Sequence, residues 1–436
     1  MISRAVPDAT VPDATVPAGA SEQPVLHPVT DPAASGAEPS SRPVSAALLA
    51  TVVLLTAIAP LATDMYVPAF PDVAHDLGTT ATGVQLTLTT FFAGMAAGQL
   101  VGGPVSDQRG RRRPLLGATV LVLVASVACA AAPDIGAMAA ARFVQCFAGG
   151  WAMVIARAVI VDLVSGPELV RALNLVQGVG GIAPIAAPLM GGVILQVSDW
   201  RAPFWVIAAI TLAMFVAAHA VVPESLPPDR RHAGGLRAFA TAAHDVLTTR
   251  AYVGYVVVSA AAMVALFAYV ATSAFVLRSM NGLSPIAYSV AFATNAGGMT
   301  VAALVSARLA GHVPTRVVIL VGQLVALTAG VGMLVGALWL GTPLPLALGS
   351  FFALMVALGL IWGNAGALAS AAVPQHPGTG SAVLGMLQWG TAGVAAPLAG
   401  LGGTGTAVPV AVMMTVGAGV SLIALLSVGG PAHGAR

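Results

Sequence analysis

Acids are nearly absent from the long apolar runs of this sequence. Asp64 is the one that falls inside such a run, if Asp162 is taken as lying at the end of its own. A carboxylate held in hydrocarbon is costly, so an acid in such a place marks a functional site by default. Burial and a neighbouring guanidinium pull a carboxyl's proton affinity in opposite directions. A group caught between the two can take up and release protons near neutral pH. Arg142 is the candidate guanidinium. If the run holding Asp64 leads outward and the run holding Arg142 leads inward, each residue lies within roughly 10 Å of the outer face at 1.5 Å per residue. The competing reading makes Asp64 a loop acid just outside the membrane, because Pro68 and Pro71 follow closely.

A second constellation joins an acid, glycines and a block of arginines. Residues 98–113 read Gly98-Gln-Leu-Val-Gly-Gly103-Pro-Val-Ser-Asp107-Gln-Arg-Gly110-Arg111-Arg112-Arg113. Four arginines at a helix end can serve as a topology anchor alone, but the acid and glycines point to more. Gly110 permits a sharp turn between helices, and Asp107 can face the positive end of a neighbouring helix. A third cluster is conformational. Gly178, Gly180, Gly181, Pro184, Pro188, Gly191 and Gly192 crowd one apolar run. Small residues let helices approach closely, and prolines free backbone carbonyls and bend a helix.

The elements that carry these residues follow from composition. Of 436 residues 58% are hydrophobic and 8% charged, against about a quarter charged in a soluble domain. From Val44 onward, apolar stretches long enough to cross a ~30 Å hydrocarbon core as helices recur. The expected spans are 45–67, 83–104, 115–132, 136–160, 171–196, 202–222, 252–277, 286–307, 316–338, 345–368, 380–402 and 406–428, twelve in all. All 18 basic residues are arginine. Alternate loops hold Arg109, Arg111, Arg112, Arg113, Arg171, Arg230, Arg231, Arg237, Arg250, Arg308 and Arg316, whereas the opposite loops hold Arg201 and Arg278. That asymmetry puts both termini in the cytoplasm. Residues 1–43, with a tandem Val-Pro-Asp-Ala-Thr, bury too little apolar surface to fold and are expected to form a disordered cytoplasmic tail.

The chain also matches itself. Ala62-Thr-Asp-Met-Tyr-Val67 aligns with Ala271-Thr-Ser-Ala-Phe-Val276, and Ala186-Ala-Pro-Leu-Met-Gly191 with Ala395-Ala-Pro-Leu-Ala-Gly400, both at an offset of 209. Duplication of a six-span unit explains both. The expected division is a six-helix half over 44–222, a cytoplasmic linker over 223–251 and a second, parallel half over 252–430.

Gly103-x3-Asp107-x2-Gly110-Arg111-Arg112 resembles the loop 2–3 signature of the major facilitator superfamily. The run from Gln85-Leu-Thr-Leu to Arg112, with Asp64-Met-Tyr-x-Pro68 before it, resembles the Bcr/CflA branch of drug:proton antiporters. So do Arg142-Phe-x-Gln145, Arg157-Ala-x3-Asp162 and Gly282-Leu-Ser-Pro285. Gln108 departs from the usual basic residue. The resemblance implies an all-α membrane fold of twelve helices in two parallel halves, and a gating network of Gly103, Asp107, Gly110, Arg111, Arg112 and Asp162. In that network Asp107 approaches the start of span 11 near Gly378 to Ser381. It also implies proton coupling at Asp64 and Arg142. Pro184, Pro188, Gly191 and Gly192 match an antiporter signature, its glycine face expected against span 8. Cavity-lining spans 1, 4, 7 and 10 nominate Tyr66, Trp151, Phe267, Tyr269, Trp362 and Asn364.

The implied activity is proton-coupled efflux of small amphipathic drugs of the bicyclomycin or chloramphenicol type from the cell's inner membrane. A same-fold carrier of an endogenous metabolite is the alternative. No acid follows Asp245, so neutral or weakly polar substrates are expected. The partners are substrate, proton and lipid, and a monomer suffices to form the cavity. The net charge of +2 offers no basic face for nucleic acid. The eight histidines show no metal-ligand spacing, and no cofactor is implied. A membrane enzyme lacks its catalytic cluster here, and an ATP-driven pump lacks the Gly-x4-Gly-Lys loop.

Overall fold

The computed structural model describes residues 45–164, 166–231, 236–375 and 377–428; for 166–181, 230, 236–240, 242, 377 and 378 it describes backbone placement alone. The expected N-terminal tail over 1–43 lies outside the described residues. Every regular element described is helical.

The first span is broken by its prolines. α1 (Ala46–Thr56) and α2 (Ile58–Asp64) meet at Ala57, with a bend of 42° between α1 and the segment Ile58–Asp76. Pro60 has no N–H to give the Thr56 carbonyl, so the helical ladder is interrupted there. Pro68 likewise cannot donate to the Asp64 carbonyl, and a 3₁₀ turn (Val67–Ala69) intervenes before α3 (Phe70–Asp76).

Next come α4 (Ala81–Arg109), α5 (Arg112–Ala130), α6 (Ile135–Leu163), α7 (Gly166–Val197) and α8 (Ala202–Val221). α9 (Leu236–Thr248) occupies the segment expected to be a linker. The remaining helices are α10 (Arg250–Ala274), α11 (Pro285–Leu309), α12 (Thr315–Trp339), α13 (Leu344–Ala371), α14 (Pro377–Ala399) and α15 (Val408–Ser427). α10 continues as a π-helical turn over Phe275–Met280. Among the described residues ten helices are long and apolar enough to cross a bilayer, and the bent first pair makes an eleventh. α7, 32 residues long, is the twelfth by length.

Each six-helix half is a bundle held by small-residue contacts. A Cβ on Gly94 or Gly98 would meet the backbone carbonyls of Phe143 or Phe147, and one on Gly102 would lie 2.9 Å from the Trp151 Cα. Those glycines let α4 and α6 touch at the backbone, which compensates for the lack of a hydrophobic drive between helices in lipid. We call the end carrying Arg109 to Arg113 inner and the opposite end outer.

The halves meet at the outer end. The Arg278 guanidinium grips both Asp72 carboxylate oxygens, at 2.8 and 3.2 Å, and donates to the Pro68 carbonyl. The Gln85 amide donates to the Ala271 carbonyl at 2.9 Å, and the Thr82 hydroxyl to that of Gly400 at 2.8 Å. Phe92 packs on Phe267 and Trp389 across the same interface, with ring centroids 4.3 and 5.6 Å away.

Candidate functional site: a buried carboxylate, a caged guanidinium and an arginine-centred loop

Asp64 is the last residue of α2, placed at the break that the prolines create. It is 8% exposed, so the position is buried and not a loop. No hydrogen bond or ion pair reaches its carboxylate among the described residues. Arg142 lies within electrostatic range of it, and the Tyr269 and Tyr288 phenols interact with it across the halves.

Arg142 is wholly buried, yet its guanidinium does not clasp the acid. Its Nη1 donates to the Ala62 carbonyl at 2.9 Å and to the Gln145 amide oxygen at 2.8 Å. Gln145 in turn donates to Ser126 at 2.8 Å. The guanidinium carbon sits 4.2 Å from the Phe91 ring centroid, 5.0 Å from Tyr66 and 5.7 Å from Phe204, an aromatic cage. Cation–π contacts of this kind contribute about 2 kcal/mol when desolvated. Its Nε and Nη2 are buried with no partner. The arrangement is a buried positive charge bonded to a carbonyl two residues before an unpaired carboxylate.

At the inner end the loop between α4 and α5 is organised around Arg111. Its Nη1 bonds Asp107 at 2.6 Å and Ser106 at 2.6 Å, and its Nε bonds Asp162 at 2.9 Å. Burial works against the Arg111 cation, but the hydrogen bonds it donates to Asp162 and Asp107 outweigh it and hold its proton more firmly than usual. Gly110 has φ 89° and ψ 169°, a backbone region open essentially to glycine alone. Arg112 donates to the carbonyls of Val222 and His219 at 3.0 and 2.7 Å.

Glu224, which the sequence reading passed over, belongs to this network. Its carboxylate accepts the backbone N–H of Arg111 at 2.7 Å and of Arg112 at 3.3 Å, and Ser225 donates to Asp162 at 2.9 Å. Pro223-Glu-Ser directly after a predicted span was the available signal. Gly103 stands apart: a Cβ there would meet only the Val154 side chain, at 3.8 Å. The tight approaches belong to Gly98 and Gly102. The expected approach of Asp107 to residues 378–381 falls partly outside the described residues.

Gly191 packs on the Met65 backbone and Gly192 on Ser289 and the Pro285 carbonyl of α11, while Pro184 and Pro188 lie inside α7. The six nominated cavity residues do not form one set. Tyr66 is part of the Arg142 cage. Phe267 meets Phe92 edge-on and Trp389 at a tilt, and Tyr269 accepts from Asn295 at 3.0 Å. Asn364 is tied within its own half, donating to Ser306 at 2.6 Å, and Trp362 is half-buried against the core. Trp151 packs over Gly102 and lines a cavity at the inner end instead.

An all-helical chain with ten to eleven membrane-length apolar helices among its described residues, and an arginine-centred loop at one end, fits a class of membrane carriers. The model of the major facilitator superfamily matches residues 52–397, and the chain belongs to that family. It is a multi-pass membrane transporter. It is 31% identical over 350 residues to the uncharacterised MFS-type transporter YdgK of Bacillus subtilis, covering 80% of this chain and 87% of that one. It is 27% identical over 348 residues to a bicyclomycin resistance protein homologue of Haemophilus influenzae, with the same coverage. Among solved structures, a bacterial homologue of the human lysosomal transporter Spinster, in an inward-facing state, superposes with a TM-score of 0.67 at 14% identity. That match covers 90% of this chain and 100% of that one. The nucleoside transporter NupG gives 0.68 at 12%, covering 87% and 98%. These likenesses show the fold.

Proposed function

We propose that this transporter exports small amphipathic drugs in exchange for protons, by rocking residues 44–222 against 252–430 about a central cavity. The observation that carries this reading is Asp64, a buried carboxylate with no bonded partner, two residues after the carbonyl that engages the Arg142 cation. A carboxylate clasped by Arg142 would stay charged throughout the cycle. One left unclasped is free to exchange a proton when the cavity admits water or substrate. The similarity to a bicyclomycin resistance homologue, and to the multidrug resistance protein MdtL of Escherichia coli at 26% identity over 281 residues, supports drugs as cargo. Asp107, Arg111, Arg112 and Asp162 form the inner gate, joined by Glu224. The packing of Gly192 against α11 supports a tight interface between halves, as an exchanger needs to limit leak. The arginine-rich loops face the cytoplasm, and the chain works in the inner membrane as a monomer.

The test is transport of chloramphenicol and bicyclomycin in proteoliposomes with an imposed pH gradient. Wild type should concentrate drug only with the gradient, and Asp64→Asn should lose that dependence. Undiminished gradient-driven transport by Asp64→Asn would refute the assignment. The structural likeness to a nucleoside transporter keeps a metabolite carrier as the second reading. A pump-deleted host that gains uncoupler-sensitive drug resistance from this chain favours the first.

A further inference from the structure

A cavity of about 450 Å³ lies at the inner end, outside the gate network, lined by Val105, Gln108, Arg109, Arg113, Pro114, Trp151 and Arg231. Three of its seven lining residues are arginines and none is an acid. The three acids of the gate network are committed elsewhere: Asp107 and Asp162 to Arg111, and Glu224 to the backbone N–H groups of Arg111 and Arg112. Among the described residues neither Arg109 nor Arg113 has a hydrogen bond or ion pair. The Arg231 Nε is anchored on the Leu226 carbonyl at 3.2 Å, which leaves its terminal nitrogens for another acceptor. The indole N–H of Trp151 is buried and also has no acceptor.

The cavity is cationic at its rim and apolar on its walls, and exposed apolar side chains run on from it along α4 and α5. Val101, one turn before Val105 on α4, is exposed, as are Val120 and Val124, which share the Arg113 face of α5. An occupant that pairs with guanidinium forks and lays chains along exposed valines is an amphiphile with a phosphate head. Guanidinium presents paired donors that match phosphate oxygens, and does so more selectively than an ammonium. Basic pockets between helices at the inner face are suited to anionic headgroups.

We propose that this cavity is a binding site for a phosphate-bearing anion, supplied by the headgroup of an anionic phospholipid. The site abuts the gate at Gly110, where Arg231 and Glu224 both crowd the backbone, so its occupancy bears on the loop that Arg111 organises.

The experiment is native mass spectrometry of the delipidated full chain, titrated in turn with dioleoyl-phosphatidylglycerol, dioleoyl-phosphatidylcholine and inorganic phosphate. Wild type should retain phosphatidylglycerol in preference to phosphatidylcholine. The combined variant Arg109→Gln, Arg113→Gln, Arg231→Gln should bind it roughly tenfold more weakly, about 1.4 kcal/mol. Val105→Trp fills the cavity with all charges kept and should lose the lipid as well. Arg308→Gln removes a charge from an exposed site in the other half and should not. If the triple variant fails to elute as a folded species, Val105→Trp and the three single variants decide. Equal retention of both lipids, or wild-type retention by Val105→Trp, overturns the site. Displacement of phosphatidylglycerol by millimolar inorganic phosphate overturns the lipid as its source.

Discussion

Among the contacts that join the outer ends of the two halves, the Arg278 guanidinium makes the ion pair, and removing its partner should shift the transporter's resting state. Arg278 holds Asp72 through two hydrogen bonds, and its side chain is 12% exposed against 42% for Asp72. Hydrogen bonds to charged groups contribute about 1.5–3 kcal/mol when buried. Asp72 is substantially solvated, so the value falls toward that of surface pairs, and about 1–2 kcal/mol is a fair working figure for Asp72→Asn. If the contact exists only with the outer end closed, the ratio of outer-open to outer-closed molecules should rise about 5–30-fold. Arg278→Gln should do more, because it also loses the bond to the Pro68 carbonyl.

Spin labels on Ala131→Cys and Leu340→Cys, both in outer loops of opposite halves, would report the separation by pulsed EPR. The two native cysteines, Cys129 and Cys146, are buried and will not label. The expected result is growth of the longer distance in Asp72→Asn, and no further growth when Asp72→Asn is added to Arg278→Gln. An unchanged distance distribution in both single variants would refute the latch.

Three further outcomes follow from the same contacts. Gly110→Ala should cost about 1–3 kcal/mol from its backbone region alone, with added crowding from Glu224 and Arg231 at 2.5 and 2.7 Å. Gly103→Ala should leave the thermal midpoint nearly unchanged, because its Cβ has room; equal melting of the two variants would contradict this. Glu224→Ala should remove the acceptor of the part-buried Arg111 N–H and the exposed Arg112 N–H, a loss of about 0.5–1.5 kcal/mol, read as faster trypsin cleavage at the Arg111 loop. Gly192→Val should drive a side chain into Ser289 and Pro285 of α11 and abolish gradient-driven transport while leaving expression intact.

Much of this was legible in the sequence because the bilayer dictates it. Span positions emerge within a few residues, since only a helix of about 20 residues satisfies its backbone in hydrocarbon. Contacts between side chains distant in sequence were not legible. Arg111 with Glu224 and Arg278 with Asp72 join residues 113 and 206 apart, and no periodicity announces them. The depth of Arg142 was readable, but its direction was not. The Ala62 carbonyl is open to it because the Tyr66 N–H turns back to Thr63 at the end of α2, and no spacing reveals that local break. The packing of the Trp151 ring over Gly102 was not legible either, because a glycine in one span does not announce which ring of another it receives.

The internal repeat carries the argument one step further. Asp64 and Ser273 occupy the same repeat position, and both sit where a helix changes geometry, at the proline break and at the π-helical turn. Ser273 is matched: its hydroxyl and that of Tyr288 are 2.9 Å apart, both fully buried. Asp64 has no such bond among the described residues. A satisfied polar group is structural, whereas an unsatisfied acid in the equivalent place is available for exchange. Ser273→Ala should therefore strand the Tyr288 hydroxyl, costing about 1–3 kcal/mol of stability, while leaving the pH-gradient dependence of transport intact. Asp64→Asn should do the reverse, erasing the gradient dependence with little loss of stability, since an amide at that position needs no counter-charge. If instead Ser273→Ala removed the gradient dependence as completely as Asp64→Asn, proton exchange would have to be assigned to both halves, and the asymmetry between them would lose its meaning.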